Sequence, residues 1–216
     1  MRDELLIPPK GMAPKPDGDD PIDYYYHPLV GWLYRARLGL AADLLGARQF
    51  DSLLEVGYGS GIFLLELARH ADRIAGIDIH TESASVNGML ERLDLEADLR
   101  EGTLFELPWE EGAFDALVCL SVLEHLVELD AALDEFRRVL RPGAVAVLGF
   151  PARNPLTDSF FRLVGYNPRA IHPSSHTDIL GAVERHPGFT VEARRRFPRL
   201  LPTPVSAYVA CRCVAR

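Results

Sequence analysis

The chain has little cysteine and no long apolar run. Its three cysteines, Cys119, Cys211 and Cys213, are an odd and sparse set that supplies neither a disulfide framework nor a zinc-binding group. No apolar run approaches the roughly 20 residues that cross a bilayer, and residues 1–9 lack the apolar core of a secretory signal. These absences predict a cytoplasmic protein with no membrane span and no metal site.

Basic residues are also in deficit. Lys and Arg total 23 against 31 Asp and Glu, which gives a formal net charge of −8. A surface that follows nucleic-acid phosphates needs a basic excess, so we expect no nucleic-acid partner. With 216 residues, 48% of them hydrophobic and 25% charged, the chain is long enough for one domain with a full core.

What the chain does contain is a strong strand–turn–helix signal at residues 53–63. An apolar run indicates a strand covered on both faces. Gly57, Gly59 and Gly61 then let the backbone turn sharply and come close to a ligand, because none of them has a Cβ. A helix predicted over 60–70 would follow and present free N–H groups to a polar or anionic ligand group.

Two classes of cofactor site use such a turn. A dinucleotide-binding turn has Gly-x-Gly-x-x-Gly, but Ile62 stands where its third glycine would be. The spacing here is Gly-x-Gly-x-Gly, and Glu55 lies two residues before the first glycine. An acid at that position suits a cationic amino-acid ligand better than a pyrophosphate.

The rest of the chain alternates predicted strands and helices. Strands are predicted at 52–56, 73–78, 97–101, 114–120, 144–150, 189–197 and 205–214. The β-α alternation in the first part of the chain predicts a parallel, doubly wound sheet. The last two strands are joined by a short loop and must be antiparallel, because a parallel return needs a long crossover.

Three stretches together resemble one family. Glu55-Val-Gly-Tyr-Gly-Ser-Gly61 looks like the first motif of class I S-adenosylmethionine-dependent methyltransferases. Residues 102–109 are similar to the family stretch Gly-Asp-Ala-x-x-Leu-Pro-Phe, although Thr103 takes the place of the Asp. Residues 120–125 resemble the family's Leu-Glu-His segment.

The resemblance covers about 50–150 strongly and 170–214 loosely. It implies an α/β, Rossmann-like, doubly wound seven-stranded sheet, mostly parallel, with strand 7 antiparallel between strands 5 and 6. We expect one methyltransferase domain at 28–216, preceded by a flexible arm or lid at 1–27, and an insertion at 152–176 that roofs the substrate pocket.

The resemblance also implies a site for S-adenosyl-L-methionine, with S-adenosyl-L-homocysteine as product. The glycine turn would wrap the methionine part, Glu55 would hold its cationic amine, and Asp78 would accept both ribose hydroxyls. Alternatively, Asp78 is a helix N-cap or a solvated loop acid. Thr103 is a weaker acceptor than Asp for the adenine amine. The implied cofactor-binding set is Glu55, Gly57, Tyr58, Gly59, Gly61, Asp78, Ile79, Thr103, Leu104 and Leu120.

The acceptor side has weaker signals. Three tyrosines precede the first long helix as substrate or lid residues, with a hydrophobic anchor for the arm as the alternative: Tyr24, Tyr25 and Tyr26. Three histidines are candidate general bases, and the alternative for each is a structural histidine that caps a helix or lines a loop: His125, His172 and His176.

Methyl transfer to a small-molecule acceptor by in-line displacement is the function that these residues favour. The acceptor atom is open between O, N and C, as is the oligomeric state, because displacement at an activated methyl group needs alignment more than a dedicated base. Two alternatives stand beside it. One is a non-catalytic S-adenosylmethionine-binding regulatory protein, and the other is an NAD(P)-dependent oxidoreductase.

Overall fold

The computed structural model describes residues 5–16, 21–152, 173–198 and 206–216. Its strands are β1 Phe50–Val56, β2 Ala71–Asp78, β3 Asp98–Glu101, β4 Phe114–Leu120, β5 Leu140–Pro151, β6 Phe189–Phe197 and β7 Tyr208–Ala215. The α-helices of these ranges are α1 Ile22–Tyr25, α2 Gly31–Leu45, α3 Leu64–Leu67, α4 Ser83–Glu91, α5 Leu129–Val139 and α6 His176–Arg185. A 3-10 helix spans Leu123–His125.

The strands form one sheet in the order β3-β2-β1-β4-β5-β7-β6. β1 pairs in parallel with β2 and β4, whereas β7 is antiparallel to both β5 and β6. The predicted fold class is confirmed, including the antiparallel strand 7 between strands 5 and 6. The order places the carboxyl ends of β1, β2 and β4 side by side, and ligands bind at that edge in open parallel sheets.

Two apolar layers cover the sheet. α2, α3 and α4 pack on one face, and α5 and α6 pack on the other. α5 shows the sequence reason most clearly, since its buried residues recur at helical spacing and its other side is charged: Leu129, Ala132, Leu133, Phe136 and Val139. Both faces of the central strands are therefore sealed from water, which leaves the strand ends as the place for a ligand.

The helix predicted over 60–70 is much shorter in the structure. Only Leu64–Leu67 is α-helical, because the glycine turn uses the chain before it and β2 begins directly after it at Ala71. The turn is closed by hydrogen bonds from the Gly61 N–H to the Tyr58 carbonyl and from the Leu64 N–H to the Gly61 carbonyl. A helix of one turn has only a small dipole. A ligand at this turn would therefore depend mostly on side chains and on the amides of the turn.

The described part of the N-terminal arm lies against the domain. The Leu6 N–H donates to Glu66 Oε2 at 2.8 Å, and Tyr26 Oη donates to the Pro8 carbonyl. Flexibility of the arm stays a prediction, as does the domain boundary at 27/28. Most of the predicted 152–176 insertion lies outside the described residues. Within the described ranges, we find no helix with the length and apolarity that a membrane crossing requires.

Candidate functional site

The glycine turn leaves β1 next to the end of β2. The Gly57 N–H donates to the Ile77 carbonyl at 2.8 Å. The backbone φ angles are +77° at Gly57, +51° at Gly59 and +71° at Gly61. Residues that have a Cβ rarely adopt such positive φ angles. A Cβ on Gly57 would lie 2.3 Å from Val122 Cγ2, so the turn also needs the missing side chain to fit against the segment after β4.

Glu55 is the buried acid of this turn. Its side chain is almost fully covered, with the residue 4% exposed, and Oε2 has no hydrogen-bond partner among the described residues. Burial, and next the nearby charge of Asp78, raise the pKa of Glu55 well above its ordinary value. A buried carboxyl oxygen without a partner is costly, so the geometry fits a site that a cationic group completes.

Asp78 ends β2 and grips the glycine turn. Its Oδ2 accepts from the Gly59 N–H at 2.8 Å, and its Oδ1 accepts from the His80 N–H at 3.3 Å. The N-cap of α4 is Glu82, so the N-cap interpretation of Asp78 is wrong. Each carboxylate oxygen keeps a further lone pair, which leaves Asp78 able to accept from a ligand's hydroxyls.

His80 also contacts the glycine turn, and the sequence did not predict this role. Its Nδ1 accepts from the Glu82 N–H at 3.1 Å, which assigns the proton to Nε2, 2.9 Å from the Gly59 carbonyl. The ring also meets the Tyr58 ring edge-on, with centroids 5.0 Å apart. His80 therefore ties the middle of the turn to the loop after β2. A histidine two residues after a strand-ending acid was the only signal in the sequence.

Tyr58 packs its side chain onto β2. The side chain is buried over β2, close to Gly76, and Oη has no partner among the described residues. Burial, followed by Asp78, raises the pKa of Tyr58 to about 12. The predicted role of Tyr58 in cofactor binding stays a prediction, and this side-chain position would limit it to main-chain contact.

The predicted adenine side gathers at the same edge. The Gly102 N–H donates to the Asp78 carbonyl at 2.9 Å and brings the loops after β2 and β3 together. Ile79 is 82% exposed there, an unusual position for a large apolar side chain unless something covers it. Thr103 is exposed and its Oγ1 accepts from the Phe105 N–H at 3.3 Å. Leu104 is nearly buried beside it.

The three candidate tyrosines take three different places. Tyr24 is exposed and stacks on Tyr34, with ring centroids 5.2 Å apart. Tyr26 anchors the arm through Pro8. Tyr25 is buried, and its Oη accepts from Arg37 Nε at 2.7 Å. Arg37 Nη1 also donates at 3.2 Å to Ser121 Oγ, directly after the end of β4 at Leu120, so Arg37 links Tyr25 to the end of β4.

The three candidate histidines are not brought together. His125 is exposed on the 3-10 helix, His176 is buried in the first turn of α6, and His172 lies outside the described residues. The start of α6 meets the 3-10 helix through a hydrogen bond from the Ser174 N–H to the Glu124 carbonyl at 3.3 Å. A catalytic role stays a prediction for all three.

Comparison with known proteins fits this geometry. Residues 54–148 match a family model described as a methyltransferase domain. Over 122 residues the chain is 32% identical to a ubiquinone biosynthesis O-methyltransferase of Alkalilimnicola ehrlichii, a match that covers 55% of this chain and 49% of that protein. The chain thus spans about half the length of the curated relatives it matches.

Solved structures share the fold across most of the chain. The N-methyltransferase NodS of Bradyrhizobium japonicum, in complex with S-adenosyl-L-homocysteine, has a TM-score of 0.69 at 21% identity and covers 93% of this chain and 94% of its own. The cyclase SpnF has a TM-score of 0.67 at 18% identity and covers 82% and 79%. The match to the methyltransferase domain model covers residues 54–148, and these solved structures show that the chain shares their fold.

Proposed function

We propose that this chain transfers a methyl group from S-adenosyl-L-methionine to a small-molecule acceptor. The observation that carries the proposal is Glu55, a buried carboxyl at the end of β1 whose Oε2 has no partner among the described residues, beside a glycine turn that Asp78 holds from the end of β2. A cationic amino-acid group and a ribose diol are the ligand groups that this pair fits.

The residues present fit the cofactor. When bound, S-adenosyl-L-methionine supplies a methyl group already activated on a sulfonium. Glu55 would hold its amine, the amides of Gly57–Gly61 its methionine part, and Asp78 its ribose. Ile79 would cover the adenine, with Thr103 and the Leu104 N–H at its polar edge. The protein's part is then to align the acceptor and to exclude water.

A second function is kept open by one comparison. The cyclase SpnF shares this fold, so this architecture does not by itself require methyl transfer. A non-catalytic or differently catalytic S-adenosylmethionine-binding protein is therefore the alternative. Formation of S-adenosyl-L-homocysteine during turnover separates the two, since only methyl transfer produces it.

The proposal includes the setting of the reaction. We place it in the cytoplasm, supported by three free, buried cysteines. The net charge of −8 supports a small-molecule acceptor over a nucleic acid. Within the described part of the chain, no group of three His, Cys, Asp or Glu side chains could hold a metal ion.

The proposal predicts selective stabilisation by the product. At about 100 times its Kd, S-adenosyl-L-homocysteine should stabilise the fold by about 2.7 kcal/mol. For a chain of this size, that raises Tm by about 5–11 °C. NAD should give no shift, because the turn lacks the glycine that a pyrophosphate site uses. A shift with NAD, or with neither ligand, would contradict the proposal.

Replacing Asp78 with Ala is expected to remove the product-induced shift. Two hydrogen bonds from ribose hydroxyls to a carboxylate are worth about 3 kcal/mol together, or about 100-fold in affinity. Asp72→Ala is the matched control, since Asp72 lies on the same strand, at its far end, and bonds only Gln49 among the contacts described. The ribose role is wrong if D78A and D72A bind the product equally.

A further inference from the structure

A group of polar side chains lies between α2 and the end of β4. Arg37 Nε donates to Tyr25 Oη at 2.7 Å, and Arg37 Nη1 donates to Ser121 Oγ at 3.2 Å. Ser121 Oγ is in turn 3.0 Å from Tyr208 Oη. The contacts join α1, α2, β4 and β7, and the proposed cofactor residues account for none of them. We call Arg37, Ser121 and the neighbouring Glu124 the β4-end cluster.

The backbone of this cluster is strained. Ser121 has a φ of +59°, and its N–H donates to the Gly149 carbonyl at 2.8 Å. Val122, the next residue, lies against Gly57. Left-handed backbone at a residue other than glycine is retained where the surroundings enforce it, and such positions concentrate at functional sites. The strain fixes the segment that leads to Glu124 directly beside the glycine turn.

Glu124 is a second buried carboxyl without a full set of partners. The residue is 2% exposed, and Oε2 has no hydrogen-bond partner among the described residues. Burial raises the pKa of Glu124 to about 7, against the opposing effects of its own backbone N–H and of Arg37. Arg37 reaches the same segment, because it donates to Ser121, three residues before Glu124. Within the described residues, Arg37 donates its hydrogen bonds to the hydroxyl groups of Tyr25 and Ser121.

Among the described residues no ion pair joins Arg37 and Glu124, and Glu124 Oε2 keeps an open bonding position. We propose that Arg37 and Glu124 bind the methyl acceptor through a weakly acidic hydroxyl group, such as a phenol, and that Glu124 receives the hydroxyl proton. The inference rests on the proposed methyl transfer. It names the acceptor class and the proton acceptor for that reaction.

The two partners select a hydroxyl over other groups. A hydroxyl oxygen accepts from the Arg37 guanidinium while its O–H donates to the Glu124 carboxylate. A carboxylate has no proton to donate to Glu124, and an ammonium has no lone pair for Arg37 and is repelled by it. Arg37 also stabilises negative charge on the acceptor oxygen, which is the charge that develops as the proton leaves.

The step balances in atoms and charge. Glu124 takes the O–H proton while the acceptor oxygen forms the O–CH3 bond with its own electron pair, and the electron pair of the broken S–CH3 bond stays on sulfur. The products are a methyl ether, a neutral thioether and a protonated Glu124. The positive charge of the sulfonium and the negative charge of the Glu124 carboxylate are thereby both lost.

The test uses the complex with S-adenosyl-L-homocysteine, so that no turnover occurs, and measures binding of 4-methylphenol by calorimetry or NMR from pH 6 to pH 8. Between these values the ionised fraction of a carboxyl with a pKa of about 7 rises about tenfold. We expect 4-methylphenol to bind up to about tenfold more tightly at the higher pH. Its methyl ether, 4-methylanisole, has no proton to donate and should bind weakly at every pH.

The groups that face Glu124 have to be controlled. Tyr208 and Cys119 keep raised pKa values, with Glu124 as one cause, and are neutral throughout the range. His176 lies at the start of α6, which packs on the 3-10 helix. Glu124→Gln should flatten the pH profile of 4-methylphenol binding, whereas His176→Gln should leave the profile as it is.

Arg37→Met supplies the second arm. It should weaken 4-methylphenol binding at least tenfold and move the pH profile upward, because the guanidinium no longer favours ionised Glu124. Folding of each variant is verified by its Tm shift with S-adenosyl-L-homocysteine. The inference is overturned if wild type does not bind 4-methylphenol, if it binds the phenol and the ether equally, or if E124Q keeps the pH dependence. Failure to bind S-adenosyl-L-homocysteine would instead overturn the proposed function.

Discussion

Replacing Glu55 with Gln is expected to abolish most of the affinity for S-adenosyl-L-homocysteine while leaving the free protein folded. A hydrogen bond to a charged group contributes about 1.5–3 kcal/mol, so Kd should rise by about 10- to 150-fold. Tm of the free protein should not fall, because the variant replaces a buried carboxyl whose Oε2 has no partner among the described residues. Equilibrium dialysis gives the affinity, and a thermal melt gives Tm.

Glu66→Gln is the matched control for this variant. Glu66 is a buried carboxylate like Glu55, but it accepts from the Leu6 N–H and from Arg69 Nη1. Its replacement should lower Tm of the free protein and leave product affinity unchanged. The opposite responses of E55Q and E66Q distinguish a ligand-binding carboxylate from a structural one. Equal product affinity in E55Q and wild type would contradict the assignment of Glu55.

Replacing Gly57 with Ala is expected to damage stability and binding together. Left-handed backbone costs a residue with a Cβ about 1–2 kcal/mol, and the new methyl would sit 2.3 Å from Val122 Cγ2, an overlap of the kind that costs about 1–3 kcal/mol. The sum of about 2–5 kcal/mol lowers Tm by about 4–20 °C. Product affinity should fall as well, because the turn must shift away from Asp78.

Gly143→Ala separates the two contributions. Gly143 has a φ of +79°, close to the +77° of Gly57, but no atom lies within 4 Å of its added Cβ. It therefore carries the backbone cost alone. G143A should lose about 1–2 kcal/mol of stability and keep full product affinity. If G57A and G143A lose the same stability and neither loses product affinity, the close fit between the glycine turn and Val122 is not needed for binding.

The sequence predicted the parts of the site that strand order determines. Glu55 and Asp78 follow apolar runs in a β-α pattern, and the carboxyl ends of neighbouring parallel strands must meet at one edge. Their distance of 23 residues in the chain is therefore no obstacle. The antiparallel ending was predictable for the same reason, since a short loop between β6 and β7 permits no other arrangement.

The parts set by side-chain packing were not predictable. The bond from Arg37 to Ser121 spans 84 residues and depends on how α2 lies over the sheet, which no local pattern encodes. Likewise, the contact of His80 with the glycine turn depends on its tautomer, which is set by the Glu82 N–H and the Gly59 carbonyl. Sequence motifs identified the proposed donor side because its contacts are mostly local turns, whereas the proposed acceptor side is assembled from distant elements.

Proton linkage gives a further expectation for Glu55. Burial raises its pKa in the free protein above the ordinary 4.5, so the folded state keeps a proton that the unfolded chain releases. Stability of the free protein should therefore fall as pH rises above that value, until Glu55 ionises in the folded state. A bound cationic amine stabilises the ionised form, so binding should release a proton. E55Q should show no such release.

Calorimetric titration of the wild-type protein with S-adenosyl-L-homocysteine, repeated in buffers of different ionisation enthalpy, tests the central claim most directly. We expect saturable binding of one ligand per chain, with an observed heat that varies with the buffer because a proton leaves Glu55. No saturable binding, or binding with no proton release at a pH where the free Glu55 is still protonated, would contradict it.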